Sequence, residues 1–387
     1  MVKLEKTQFN QNITMPLTKK LLLPLTFFFL IHTACAKSET FEQVQKLAVQ
    51  GDADAQNKLA IRYAKGDGVR QNYNEAFDWV FKSATQGNAR AQFGLGWMYY
   101  EGQGVAQNYT KAFEWYSKAA AQGFASAQHD LAVMYKNGQG VDKNDNKAFE
   151  WFSQAAAQGL AEAQKNLAGM YGNGQGVAQN YSKAFEWCRK AAAQGNAEAQ
   201  NNLGMMYYNG KGIAQNYSKA FEWSSKAAVQ DYAKAQNNLG VMYRDGQGID
   251  QNYHKAIEWF SKAAVQGHVN AQYSLGAMYA DGRGVAQDLS KAFEWISKAA
   301  VQGNAQAQNN LAAMYANGRG VTQNLSKAFE WISKAAAQGH VNAQYSLGFM
   351  YANGRGVAQN TALANEWYLK AANNGHAQAK LMLAKRQ

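Results

Sequence analysis

The sequence predicts an all-α fold, a repeat array of stacked antiparallel helix pairs with a 36-residue period. Three observations predict it. Nine of the ten tryptophans, from Trp79 and Trp115 through to Trp331 and Trp367, stand 36 residues apart without a slip. Leucine (Leu59 to Leu383), tyrosine (Tyr63 to Tyr351) and a Gly-x-Gly pair (Gly66 and Gly68 to Gly354 and Gly356) keep the same step. Pro16 and Pro24 both precede the repeats, so no proline interrupts a helix there. A fixed period of this length marks units that bury their apolar faces only against their neighbours.

Counting from Gly51, nine copies run to Asn374. In the first, Ala55, Leu59 and Tyr63 lie four apart on one face of a helix. Asp52, like Asn88, Asn196 and Asn304 in other copies, is a short polar residue fit to cap it. Gly66 ends it, because glycine takes the left-handed conformation of a helix C-terminus. Asn72 can cap the second helix, whose stripe of Ala76, Trp79 and Ser83, with Phe77, Val80 and Ala84 beside it, needs cover from two sides. The small residue after each leucine (Ala60, Gly96, Ala132, Gly204) lets helices approach closely. The methionines Met98 to Met350, one per copy just before the fixed tyrosine, read as fillers of the inter-repeat core. Residues 37–50 and 375–387 match half-units that cap the open ends.

These positions carry a resemblance. The copy AQNNLGMMYYNGKGIAQNYSKAFEWSSKAAVQ, residues 199–230, resembles the Sel1-like repeat, a relative of the tetratricopeptide repeat, and the likeness covers about residues 40–387. Departures are few: Asp231 for the final glycine, Asp145, Leu289, Leu325 and Thr361 for the tyrosine at position 73, and Gln154 for a repeated lysine. The resemblance implies a right-handed α-solenoid serving as a binding scaffold, with the first helices lining a concave groove. It does not name the partner.

The N-terminus differs. Lys19 and Lys20 precede the apolar run LLLPLTFFFLI, residues 21–31, and then Ala34 and Ala36 frame a small-x-small ending. Residues 1–36 therefore read as a secretory signal cleaved after Ala36, with Met15 an alternative start. The run is too short to span a bilayer. The mature chain is expected to be periplasmic or secreted, with lipidation of Cys35 a minor alternative, since His32 stands where a lipoprotein signal wants a leucine-like residue. After cleavage only Cys188 remains, at a position held elsewhere by Val80, Tyr116 and Phe152; it reads as a buried small hydrophobe.

The chain carries a formal charge of +12, and removal of residues 1–36, with four lysines and one glutamate, leaves +9. Glu114 precedes Lys118 by one helical turn, and this pair recurs. Lys111 recurs too, with no second acid to match it. The residue inside the Gly-x-Gly loop is basic mainly in the C-terminal half: Lys211, Arg283, Arg319 and Arg355. Equivalent loops stack along one edge, so these form a row that could meet an acidic protein or another anionic surface polymer such as peptidoglycan; a solvated edge that aids solubility is the plain alternative. Nucleic acid is not expected of an exported chain without a stacking platform or a dense basic stripe.

No catalytic constellation emerges. Ser-x-x-Lys, Gly-x-Ser-x-Gly and His-Glu-x-x-His are all missing from the sequence. Gly-x-Gly joins two helices with no preceding strand, so it is a turn. His340 and His376 fall at helix N-cap positions, without a carboxylate or thiol repeating beside them, and read as caps. The chain is expected to be a non-enzyme without cofactor or metal.

Positions that vary between copies are free to specify a partner. On the first helix these are 54, 57, 61 and 64 of copy one, spaced onto one face. Copy two places Arg90, Phe93, Trp97 and Tyr100 there; copy three has His129 and Lys136; copy nine has Tyr345 and Phe349. Aromatics and arginine dominate interface energetics. The alternative is that copy two is covered by copy one or residues 37–50, with Trp97 a filler. The functional expectation is an exported scaffold that binds a protein or peptide in its groove. Binding of cell-wall glycan or surface polysaccharide is the alternative, and a hydrolase has no residue support.

Overall fold

The computed structural model describes residues 39–384. The expected signal, its cleavage residues Ala34 and Ala36, and Cys35 lie outside them. Among the described residues there are twenty helices and no strand. Within a compact unit, helices pack chiefly on those before and after them in sequence, as the stacked pairs of an α-solenoid. The chain divides into two compact units, which are described separately. One ends at Met206 and also holds Gly210–Ala214; the other holds Tyr207–Asn209 and residues 215–384.

Local chemistry sets the helix ends. Asp52 Oδ1 accepts from Ala55 N at 2.7 Å, and Asn88, Asn196 and Asn304 cap in the same way. Where Phe124, Leu160 or Tyr232 holds that position, the helix starts without a side-chain cap. Second helices begin on Asn108 and its counterparts, whose Oδ1 accepts from the backbone N–H of Lys111 at 2.9 Å. The glycine ending each first helix is left-handed, as at Gly138 with φ 70°. The next one, Gly140, lies so close to the preceding copy that a Cβ would stand 2.3 Å from the Tyr109 carbonyl oxygen. The loop therefore locks one copy onto another.

The leucine column from Leu59 to Leu347 is buried at 0–2% exposure, and the methionine column is buried throughout, as expected of core fillers. Gly96 makes room for a ring: a Cβ there would stand 2.6 Å from Tyr116. In most copies the fixed tyrosine meets the phenylalanine of the preceding second helix edge to face, as in Phe113–Tyr135 with centroids 5.3 Å apart, while Ile257 stands in that place before Tyr279.

Two features differ from the sequence reading. The laddered tryptophans are half-buried, not core residues, and a lysine of the next turn lies over most of their rings, Lys118 Nζ being 3.9 Å from the Trp115 centroid. The unmatched lysine that recurs from Lys111 to Lys327 is likewise explained: Lys111 Nζ lies 5.2 Å above the Tyr99 ring, so its counterpart is an aromatic face. A polar spine also runs through the stack. Gln128 is buried, donates to the Ala120 carbonyl at 3.2 Å, and accepts from Gln158 at 2.8 Å. Gln92 and Gln164 repeat both bonds. Buried amides from Gln56 to Gln344 satisfy the last carbonyls of the preceding helix and fix the register of one copy on the next.

Candidate functional site

In the N-terminal unit the variable face lies on three successive first helices, α4 (Ala89–Glu101), α6 (Ala125–Asn137) and α8 (Ala161–Asn173). Arg90 is exposed at the start of α4. Phe93 departs from the expectation of a surface aromatic. It is only 9% exposed, with its ring 5.5 Å from Tyr116 and 5.2 Å from Phe124. The second helix of copy two and the turn before α6 supply those rings, so Phe93 is a packing residue.

Trp97 is half-buried against the core. Its indole Nε1 is shielded from solvent and meets no acceptor among the described residues. A buried donor left unmade costs about 1–3 kcal/mol, so this position is not optimised for packing alone. Tyr100 is tied down: its hydroxyl donates to Gln139 Oε1 at 3.1 Å and its ring meets Tyr109 edge-on at 5.1 Å. Burial raises its phenol above the ordinary tyrosine value. Glu101 follows on the same helix; burial, with the nearby Asp130 charge, raises its carboxyl.

The face continues as a polar chain. His129 Nδ1 lies 2.8 Å from Asp130 Oδ1, and its Nε2 lies 3.0 Å from Asn166 Nδ2. Lys165 Nζ sits between Glu162, one turn back at 2.8 Å, and Glu198 of the next copy at 3.0 Å. Burial works against its charge, but the two carboxylates reverse that and raise its ammonium above the ordinary lysine value. Burial also opposes ionisation of Glu162, and Lys165 overcomes it, so that carboxyl is lowered. Asn196 donates to Glu162 at 2.7 Å. Lys136 is lowered by burial and then by the Lys165 charge. Sequence reasoning passed over Lys165, Glu162 and Glu198. The signal was available: opposite charges three residues apart on the variable face, with a second acid 36 residues after the first.

In the C-terminal unit, Tyr345 stacks on His376 at 4.3 Å and 12° and tilts against Tyr368 at 5.6 Å, while Phe349 is 37% exposed. His340 and His376 are caps: their Nδ1 atoms accept from Ala343 N and Ala379 N. Burial lowers His340. Of the loop residues, Lys211, in the N-terminal unit, lies over the Tyr181 ring at 5.2 Å. Arg283 pairs with Asp281 at 3.4 Å, and Arg319 and Arg355 are exposed.

Among the described residues no cluster of three or more His, Cys, Asp or Glu side chains could hold a metal. No described helix is long and apolar enough to cross a membrane. Cys188 is buried, its Sγ donating to the Ala199 carbonyl, and burial pushes its thiol up to about 12, which suits packing and not nucleophilic chemistry.

The comparisons agree with this architecture. A protective antigen of uropathogenic Escherichia coli, described as displaying an SLR fold, is 31% identical over 90% of this chain and 91% of its own, with a TM-score of 0.57. A Sel1 repeat protein from Oxalobacter formigenes is 32% identical over 84% of this chain and 99% of its own, with a TM-score of 0.63. None of the curated proteins matches the chain. The Sel1 repeat model matches nine consecutive segments, from 53–88 to 341–376. With every copy matched and the helix pairs stacked as that repeat requires, the chain belongs to the Sel1 repeat family.

Proposed function

We propose that this protein is an exported scaffold that grips a protein or peptide partner with the variable face of its first helices, centred on Trp97. Sel1 repeat proteins are scaffolds that mediate protein–protein interactions; the position of the site and export are the additions. Export is supported by the basic start, apolar run and Ala-x-Ala ending of residues 1–36.

The observation that carries the site is the Trp97 indole. Every other tryptophan follows the 36-residue ladder, whereas Trp97 occupies a variable slot, half-buried, with a donor that no described residue satisfies. A backbone carbonyl or carboxylate of a partner that turned the ring slightly would recover that hydrogen bond. On the same helix Arg90 lies two turns before Trp97 and is exposed, and Glu101 follows one turn after it, so both charge signs occur along this face, which suits recognition of a peptide better than an apolar slot would.

The test is site-specific photocrosslinking in living cells from position 97, with position 313, an alanine in the equivalent slot of copy eight, as control. One defined protein adduct from 97, lost when Arg90 is replaced by alanine and weak from 313, is expected. No adduct, an adduct with glycan only, or equal capture from 313 would overturn the assignment.

A further inference from the structure

The Gly-x-Gly loops of the C-terminal unit form a second surface. Each such loop holds its middle residue on a fixed backbone. The N–H groups of Arg283, Arg319 and Arg355 donate to the carbonyls of Met278, Met314 and Met350 at 3.0–3.1 Å. The following glycine lies on the start of the preceding copy's second helix, where a Cβ at Gly320 or Gly356 would stand 2.0 or 2.1 Å from the carbonyl oxygen of Leu289 or Leu325. Successive arginines are thus presented from equivalent, rigid sites.

Elsewhere the chain gives such a cation a partner of its own. Lys211 has the Tyr181 ring of the preceding copy beneath it. Arg283 has Asp281, two residues earlier, at the helix C-terminus. In the last two copies both kinds of partner are exchanged. The tyrosine position is Leu289 and Leu325, and the acid position is Asn317 and Asn353. Among the described residues Arg319 and Arg355 make no ion pair, side-chain hydrogen bond or ring contact, and both are exposed. Residues 305–384 carry six basic and two acidic side chains, so no surplus of local acid answers them.

We infer that Arg319 and Arg355, with Arg283 beside them, form a docking row for an acidic peptide segment of a protein partner. Guanidinium pairs with carboxylate through two parallel N–H···O bonds, a match that lysine does not make. The row is one arginine wide, which fits a linear chain and not the plane of a lipid surface. Helix packing sets the step between equivalent loops at roughly 10 Å. An extended polyproline II segment with an acid at every third residue repeats its charges at about 9.3 Å, so each carboxylate meets one loop. This row is independent of the surface around Trp97, and failure of one leaves the other standing.

The experiment titrates the full chain against a fluorescein-labelled (Glu-Pro-Pro)4 peptide, read by anisotropy, with (Gln-Pro-Pro)4 as the neutral control. The variant is Arg319→Gln/Arg355→Gln, safe for folding because glutamine holds the same loop position at Gln103, Gln139, Gln175 and Gln247. The expected result is binding of the acidic peptide only, weakened roughly tenfold in the variant, the scale of two exposed ion pairs, and weakened by added salt. Asp281→Asn, which frees Arg283, is expected to tighten binding about two- to threefold. Equal affinity of parent and variant would overturn the proposal. So would arginine-dependent binding of heparin or phosphatidylserine vesicles without binding of the peptide.

Discussion

Substituting alanine for Gly140 and, separately, for Gly123 tests whether the Gly-x-Gly loop locks one copy onto the next. Both glycines have positive φ, 69° and 83°. A Cβ at Gly123 meets nothing within 4 Å, whereas at Gly140 it would lie 2.3 Å from the Tyr109 carbonyl oxygen and 2.4 Å from its carbon. Both variants pay the left-handed penalty, about 1–2 kcal/mol for an L-residue, and both gain a few tenths from a stiffer unfolded chain. Only Gly140→Ala overpacks, and against backbone, which cannot rotate away; that adds the upper part of the usual range of about 1–3 kcal/mol. The expectation is a loss of about 1 kcal/mol for Gly123→Ala and about 4 kcal/mol for Gly140→Ala. Urea unfolding followed by tryptophan fluorescence gives the totals. Amide hydrogen exchange, read on residues 105–145, shows whether the loss is confined to this junction, as an array of nearest-neighbour interfaces requires. A difference below about 1 kcal/mol between the two variants would refute the close-approach argument.

Other outcomes follow from the same contacts. Trp97→Phe keeps most of the ring and deletes the unsatisfied N–H, so melting should show no loss, or a gain of up to about 1 kcal/mol, with weaker partner capture; a loss above that would make the indole N–H a structural donor. Lys165→Met leaves Glu162 and Glu198 facing each other and should cost about 2 kcal/mol, below the ~3–5 of a fully buried pair, because those carboxylates are 45% and 34% exposed. The pH dependence of that cluster has a defined sign: Glu162 is lowered in the folded chain, so its stabilisation is present above the ordinary carboxylate value of 4.5 and is lost as pH falls through the folded one. Lys165 is raised, so its share is present below 10.5 and is lost as pH climbs through the raised value. Stability of Lys165→Met measured from pH 3 to 7 should show a flatter acid limb than the parent. Gln164→Met removes the amide that donates to the Ala156 carbonyl and accepts from Gln194, and should cost about 2 kcal/mol in the same unfolding assay.

How much of this was legible in the sequence depends on what repeats. Helix number, the caps at Asp52 and Asn108 and the C-terminal glycines were readable, because strict 36-residue spacing repeats the same local chemistry nine times. Phe93 was misread for a physical reason. Variation between copies shows that a position is free to differ, not that it is exposed, and Phe93 differs together with the rings of Tyr116 and Phe124 that enclose it. The tryptophan ladder erred the other way: a fixed aromatic can be fixed by a lysine above it as well as by a core around it. The glutamine spine was in plain view as a column from Gln56 to Gln344. A search for apolar periodicity passes over it, since its function is to satisfy helix-end carbonyls and not to exclude water.

The variable face also shows why its binding capacity is uneven. Most of its polar residues are spent on one another, as in His129 with Asn166 and Lys165 with Glu198, so that a polar slot in one copy is answered by the next. Within the C-terminal unit Asn310 bonds the Tyr273 hydroxyl at 3.2 Å in the same manner. Such pairs hold copies in register and leave little for a ligand. Unsatisfied atoms are a better guide, but burial must be read with them. Among the described residues Asn57 Oδ1 and Asn237 Oδ1 also lack partners, yet those residues are 6% and 1% exposed, beyond the reach of another molecule. Trp97 combines a hydrogen bond unmade among the described residues with a side chain that still meets solvent, and an exposed arginine lies two turns earlier on the same helix. Two requirements, unmet bonding and access, thus coincide at one variable slot of the N-terminal unit. In the C-terminal unit they coincide at the loop arginines, where an aromatic and an acid have both been exchanged for side chains that cannot answer a cation.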